Sequence, residues 1–268
     1  MQSQAQTQAP VILGAQPFQL SGGEIGILVI HGYGGSIGDY RAFGKLLHGH
    51  GYTVHGIRLA GHGQDLSSLR QATIQDWQAS VHQGIEELRK HCQKIILVGS
   101  SFGGVLALDV VEREHVDGVV LVNPALSYKG GGVLQGIILR GLKLFTPYFP
   151  KKGLTPEERV QAEQVGSSTA WPIDGIISTA TFARNVVMPS LSKVTAPTLL
   201  LQSSHDAIVG EKNSAVVMDT IRSEKKELVI IPIGSHRPFR HAEATSFMSD
   251  HVHTFIQARF NVLVQHPE

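Results

Sequence analysis

KIILVGSSFGGVLALDVV, residues 94–111, holds an apolar β-type run, a small-residue turn and a helix-period segment in immediate succession. Its centre, Gly99-Ser100-Ser101-Phe102-Gly103, matches the spacing G-x-S-x-G with a strand before it and a helix after it, the context that gives that motif its meaning. The physics is steric. A sharp strand-to-helix turn forces the middle residue into a strained backbone, and Gly99 and Gly103 leave room for neighbouring chain segments to approach. Ser101 then emerges at a helix N-terminus, where the positive end of the helix dipole favours an anion near its hydroxyl. A plain Gly-Ser turn is the bland alternative, and the strand-turn-helix context argues against it.

Outward from this stretch the same alternation repeats. EIGILVI, YTVHGI and VDGVVLV are further apolar runs separated by helix-period segments between Glu24 and Pro124, the pattern of a parallel sheet built from βαβ units. In TIQDWQASVHQGIEELRKHC, Ile74, Trp77, Val81, Ile85 and Leu88 recur every three or four residues and predict one apolar helix face. Two more strands, TLLLQSS and ELVIIPI, follow Ala196, and a last helix offers Ala244, Phe247, Met248, Val252, Phe255 and Ile256 as its buried side. Between them, residues 125–195 show no strand alternation and read as a helical cap over the C-terminal edge of the sheet, where open α/β folds place their ligands. The expected division is a core of residues 16–124 and 196–265, the cap, and a Gln-rich tail over residues 1–15 that frays.

A serine hydroxyl needs a base within hydrogen-bond reach and a third group to orient that base. In this architecture the chain order is serine, acid, histidine. Asp206 follows the strand TLLLQSS and His236 follows ELVIIPI, so both are expected at the edge where Ser101 emerges. His241 and His205 are rival histidines, and Asp174 and Asp219 rival acids, each less well placed relative to a strand end.

HGYGG, residues 31–35, poses a separate question, because a glycine-rich turn after a strand also begins a dinucleotide fingerprint. Gly32 and Gly34 fit that pattern, but Ile37 fills the third glycine slot, and the following strand ends in Arg58 and Leu59 without the expected carboxylate. The turn instead suits an oxyanion: acyl transfer through a serine takes one backbone N–H from the residue after the serine and a second from the loop after the third strand of such folds. Phe102 and Tyr33 are the donors so predicted.

The 268 residues are 42% hydrophobic and 17% charged, enough to bury one large core. A formal net charge of +1, with Lys and Arg spread along the chain, leaves no nucleic-acid footprint. Cys92 is the only cysteine, so an internal disulfide and a Cys-rich metal site are excluded, and it reads as a small buried hydrophobe. No metal is expected: H-E-x-x-H is absent, and His251 and His253, two residues apart, do not share a helix face. MQSQAQTQAP has neither a basic nor an apolar leader region, so a cytoplasmic address is expected, and no run approaches the roughly 18 apolar residues of a membrane span. The apolar first cap segment, with Val133, Leu134, Ile137, Ile138, Leu139, Leu142, Leu144 and Phe145, reads as packing or pocket wall, with transient lipid contact as a second reading.

Taken together, HGYGGS, RLAGHG, GSSFGG, SSHD-x-x-V and GSH resemble the α/β-hydrolase superfamily, in its bacterial carboxylesterase and monoacylglycerol lipase branch, from about Gln16 onwards. The resemblance implies a mostly parallel central sheet flanked by helices with a helical cap. It implies Ser101, Asp206 and His236 as a catalytic triad, Tyr33 and Phe102 as oxyanion donors, and no cofactor. It implies a small-molecule ester as substrate, of short to medium acyl length, monoacylglycerols included. Arg237 and Arg240, in RPFRHAE, depart from the small apolar residues usual there and bear on the alcohol or acyl preference. A ligand receptor without turnover, or a cofactor-free perhydrolase or thioesterase, are the alternatives.

Overall fold

The structure, a computed structural model, describes residues 9–129, 133–151 and 155–260. Nine strands occur among them: β1 Phe18–Leu20, β2 Ile25–Ile30, β3 Thr53–Ile57, β4 Lys94–Ser100, β5 Gly118–Val122, β6 Tyr148–Pro150, β7 Ala170–Pro172, β8 Thr198–Ser203 and β9 Lys226–Ile231. The helices are α1 Arg41–Gly49, α2 Leu66–Gln71, α3 Ile74–Arg89, α4 Phe102–Arg113, α5 Val133–Leu142, α6 Pro156–Gln164, α7 Ile173–Phe182, α8 Met188–Ser190, α9 Lys212–Thr220 and α10 Ala242–Phe260.

Seven strands form one sheet in the order β1-β3-β2-β4-β5-β8-β9, parallel throughout except for β1, which pairs antiparallel with β3. The six strands expected from apolar runs are all present. β1 was not expected, because three residues are too few to show alternation. The turn at His31 therefore follows the second strand in chain order, not the third.

The inner strands β2, β4, β5 and β8 are buried along almost their whole length because both faces are covered, whereas the edge strand β9 stays largely exposed. On one face Leu28, Ile30, Leu97 and Leu121 pack with Trp77, Val81, Ile85 and Leu88 of α3 and with Phe102 and Leu106 of α4. On the other, Ile27, Val29, Ile96, Val98 and Val120 pack with Phe43 and Leu47 of α1 and with Met248, Val252, Phe255 and Ile256 of α10. Adjacent residues of one strand thus serve opposite layers, as the two-residue period requires. Phe247 is only partly buried. The α3 stripe has its expected burial, and Thr73 and Asp76 close a reciprocal capping box at its start.

The segment 125–195 is mostly helical but also contains a two-stranded antiparallel ribbon, β6 with β7, for which the sequence offered no sign. Each of these strands has three residues and ends in proline, so no period could show. One helical stretch of this segment is interrupted: α7 passes through a π-helical turn, Ala183–Val187, into α8, where Pro189 stands at the second position.

Of the predicted tail, residues 1–8 lie outside the described residues, as do the side chains of Val133 and Leu134 and residues 261–265 of the expected core. Residues 9–15 differ from a frayed tail. The Ile12 N–H donates to the Gly63 carbonyl at 2.8 Å, and Ala15 is fully buried in a 3-10 turn. Cys92 is half-buried and packs at the margin of one core layer.

Candidate active site

The parallel register brings five strand ends to one edge. Ile30 pairs with Gly99, Ser100 with Val122, and Ser203 with Ile231, so the residues following β2, β4, β5, β8 and β9 share a rim. Those residues include His31–Gly34, Ser101, Asn123, Asp206 and His236.

Ser101 has φ 54° and ψ −119°, a conformation that costs a non-glycine residue about 1–3 kcal/mol. Its neighbours hold it there. The Ser101 N–H donates to the Val122 carbonyl at 2.9 Å, and its carbonyl accepts from Ala125 N–H at 3.1 Å. A Cβ on Gly99 would run into the Gly103 carbonyl, and one on Gly103 into the Ile30 carbonyl, so both glycines are needed for the close approach.

Three of the residues singled out in the sequence lie in one hydrogen-bonded row. The Ser101 hydroxyl donates to His236 Nε2 at 2.9 Å, and His236 Nδ1–H donates to Asp206 Oδ2 at 2.6 Å. Asp206 is buried, and its other oxygen accepts from the Ile208 and Val209 N–H groups at 2.8 and 2.9 Å. Burial pushes the Asp206 carboxyl up, but the His236 hydrogen bond and charge and the two backbone donors outweigh it, so the group stays below its ordinary value. The rivals are elsewhere: His205 and His241 are exposed, Asp174 pairs with Arg70 and Lys143, and Asp219 lies in α9.

Tyr33 and Phe102 are organised by one ring. Trp77, fully buried, packs against Tyr33 at 5.5 Å and Phe102 at 5.4 Å between centroids, and its Nε1–H donates to the Ala60 carbonyl at 3.0 Å. Phe102 is the first residue of α4, so its N–H has no partner within the helix. Gly32 lies against Ser101: a Cβ there would meet Ser101 Cβ at 3.0 Å.

Two buried histidines brace this turn. His31 donates from Nδ1 to the Gly32 carbonyl at 3.0 Å and accepts at Nε2 from Leu59 N–H at 3.1 Å. His62 donates from Nδ1 to the Ala60 carbonyl at 3.1 Å and accepts at Nε2 from Gly34 N–H at 3.0 Å. Each bonding pattern suits the neutral ring. Burial takes His31 down to about 4, and burial together with the nearby His31 takes His62 well below its ordinary value.

Several site residues escaped the sequence reading. Asn123, at φ 47°, is fully buried. Its Oδ1 accepts from Ser203 N–H at 2.8 Å. Its Nδ2 donates to Ser203 Oγ at 2.9 Å and reaches the carbonyls of Ser235 and His236 at 3.5 and 3.4 Å. It ties the ends of β5 and β8 to the histidine loop. The signal available was Asn-Pro directly after a strand, a turn marker in which asparagine tolerates positive φ. Lys151, buried, donates to the Gly34 carbonyl at 2.7 Å and stands over the Trp171 ring at 5.0 Å. In PKKG it reads as a solvated charge. Asp39 accepts from Arg240 Nε at 3.1 Å and Nη2 at 3.0 Å, a pairing across 201 positions that no local pattern announces.

A cavity of ≈ 810 Å³ opens onto Ser101 and His236. Its apolar wall comes from Ile138, Leu139 and Leu142 of α5, Ile176 and Ile177 of α7, and Met188. The other face of α5 and its continuation are bare, with Ile137, Leu144 and Phe145 at 58, 83 and 88% exposure. Among the described residues, no helix is long and apolar enough to cross a membrane. His82, Glu86 and Glu114 bring metal-type ligand atoms within 4.8 Å of one another away from this site, but Arg89 already bridges the two glutamates at 2.6 and 3.2 Å.

The chain resembles known proteins over nearly its whole length. The family model described as serine aminopeptidase, S33, matches residues 25–243. A thermostable monoacylglycerol lipase of Bacillus sp. (strain H-257) is 30% identical over 231 residues, 83% of this chain and 86% of that protein. A carboxylesterase of Bacillus subtilis (strain 168) is 25% identical over 248 residues, 88% of this chain and 97% of that protein. Among solved structures, one from work on the metagenome-derived lipolytic enzymes LipS and LipT superposes with a TM-score of 0.81 at 25% identity, covering 93% of this chain and all of the other.

Proposed function

The chain belongs to the serine aminopeptidase S33 family of α/β hydrolases, and from that premise we propose that it cleaves carboxylic esters through an acyl-enzyme on Ser101. The observation that carries this reading is the row Asp206–His236–Ser101 opening into an apolar-walled cavity. Ser101 Oγ attacks the ester carbonyl carbon as its proton passes to His236 Nε2. Asp206 stabilises the resulting imidazolium through Nδ1–H. The backbone N–H groups of Tyr33 and Phe102 receive the oxyanion, and such donors typically contribute about 3 kcal/mol each to the transition state. Collapse breaks the bond to the alcohol oxygen, which leaves with the His236 proton. Water then adds to the acyl carbon, gives its proton to His236, and releases the acid as Ser101 recovers its hydrogen.

In this reading residues 125–195 form a cap whose α5 and α7 face an acyl chain of short to medium length, monoacylglycerols being one such class. The exposed outer side of α5 makes brief contact with lipid surfaces. Peptide cleavage at a free N-terminus fits less well. An α-ammonium group needs an available carboxylate, and Asp39, the sole carboxylate lining the cavity among the described residues, is already held by Arg240 among further cations.

The test uses p-nitrophenyl esters of increasing acyl length together with a fluorophosphonate label, on the native protein and on Ser101→Ala. Turnover and labelling are expected in the native protein, with both abolished in the variant, and the chain-length optimum reports the apolar wall. A native protein that folds but neither labels nor turns over any ester would make a ligand receptor the better reading.

A further inference from the structure

The charge in the cavity is lopsided. Among the described residues Lys129, Arg140, Lys151, Arg184, Arg237 and Arg240 line it, against one carboxylate, Asp39. Three of the six converge beside the reacting groups, because Arg237 directly follows His236, Arg240 lies one turn on, and Lys151 is bonded to Gly34 of the oxyanion turn.

These three are under-compensated. Lys151 is 7% exposed, and its Nζ has a carbonyl and an indole face for company but no ion-pair partner among the described residues. Arg240, with a side chain 8% exposed, commits Nε and Nη2 to Asp39 and leaves Nη1 buried with no hydrogen-bond partner. Arg237 is half-buried and has no ion-pair partner among the described residues. Burial, then the charges of Arg237 and Arg240, take Lys151 down to about 7, and burial and Arg240 pull Arg237 down as well. Burying cations is costly unless they are paired. Here Asp39 pairs with Arg240 alone, Glu158 adds only its charge near Arg237, and the cavity is where a further anion would enter.

We propose that the ester cleaved here carries an anionic group, phosphate or carboxylate, on its alcohol portion, and that Lys151, Arg237 and Arg240 receive it. The inference rests on the ester-hydrolase reading above. The alcohol side follows from geometry: His236 Nε2 protonates the leaving alcohol oxygen, and the cations lie on the His236 and Gly34 side, whereas α5 and α7 supply the apolar wall that suits the acyl chain.

The experiment compares kcat/KM for 1-octanoylglycerol, 1-octanoylglycerol 3-phosphate and octanoylglycerate, with p-nitrophenyl octanoate reporting Ser101 chemistry alone. An anionic ester is expected to exceed the glycerol ester by about tenfold or more, the scale of a hydrogen bond to a charged group. The phosphate-to-glycerate ratio then identifies which anion is preferred. Arg237→Gln is expected to lower the anionic-to-neutral ratio about tenfold, and Lys151→Met to do the same if it folds. In the native protein glycerol 3-phosphate should compete with p-nitrophenyl octanoate where glycerol does not.

An anionic-to-neutral ratio at or below one in a protein that turns over p-nitrophenyl octanoate overturns the inference. So does a ratio unchanged by Arg237→Gln, or a preference for an anion placed on the acyl side, read by comparing ethyl hydrogen succinate with ethyl butyrate. Calorimetric titration with glycerol 3-phosphate keeps the two readings apart. Binding that weakens in Arg237→Gln supports the anion site even if no ester is cleaved, and absence of binding by both glycerol 3-phosphate and, in a parallel titration, glycerate overturns it.

Discussion

Asn123 carries more of the site than any residue outside the hydrogen-bonded row. One side chain joins three strand ends while its backbone holds φ 47°. Alanine at this position would leave the buried Ser203 N–H without its acceptor, a cost of about 1–3 kcal/mol, and would strain the left-handed backbone by roughly 1 kcal/mol more. Asn123→Ala is therefore expected to lower unfolding free energy by about 3 kcal/mol in urea titration and to reduce kcat as the His236 loop loses its tie. Asn123→Gly relieves the strain but not the lost bonds, and should fall between. Equal stability of Asn123→Ala and native protein would refute the assignment. Ser101, Asp206 and His236 could be read from the sequence because each sits in a local pattern, a strand end with small or polar neighbours. For Asn123, Lys151 and the Asp39–Arg240 pair no local pattern announces the role, Asn-Pro marking only a turn, and the partners that define it lie 80, 117 and 201 positions away.

Secondary-structure elements were legible in proportion to length. α3, sixteen residues, displays its stripe over four turns, and the inner parallel strands β2, β4 and β5 are near-continuous apolar runs because helices cover both faces. β1, β6 and β7, three residues each, are defined by their partners and not by their own composition. The start of α3 is set by Thr73, whose Oγ1 accepts from Asp76 N–H at 3.3 Å while Asp76 Oδ2 accepts from Thr73 N–H at 2.9 Å. Thr73→Ala is expected to cost about 1 kcal/mol, seen as a lower melting temperature. Although α3 also carries Trp77 beneath Tyr33 and Phe102, the capping loss should reach the Tyr33 turn only through global stability. A large fall in kcat with an unchanged melting temperature would contradict this.

At the scale of the whole molecule, the His31 and His62 pair ties the fold's survival to pH. Both rings are neutral when folded, and both would take a proton more readily unfolded, where the ordinary value is about 6.5. Their contribution is therefore complete above pH 6.5 and is lost as pH falls, that of His31 down to about 4. Each titrating group adds up to about 1.4 kcal/mol of lost stability per pH unit within that window. Urea midpoints measured between pH 7.5 and 4.5 should decline below 6.5, before the ordinary carboxylate range is reached. A flat profile over that span would mean that the two rings are not held neutral.

The Gly34 carbonyl, which accepts from Lys151 Nζ at 2.7 Å and from Ser168 N–H at 3.2 Å, joins the turn beside Ser101 to the stretch between β5 and β8. Lys151 and Trp171 also line the cavity, so the same stretch of chain shapes the space around a ligand and steadies the floor beneath it. A substitution at Lys151 therefore perturbs both at once, and the two effects are separable only at cavity positions that do not touch Gly34.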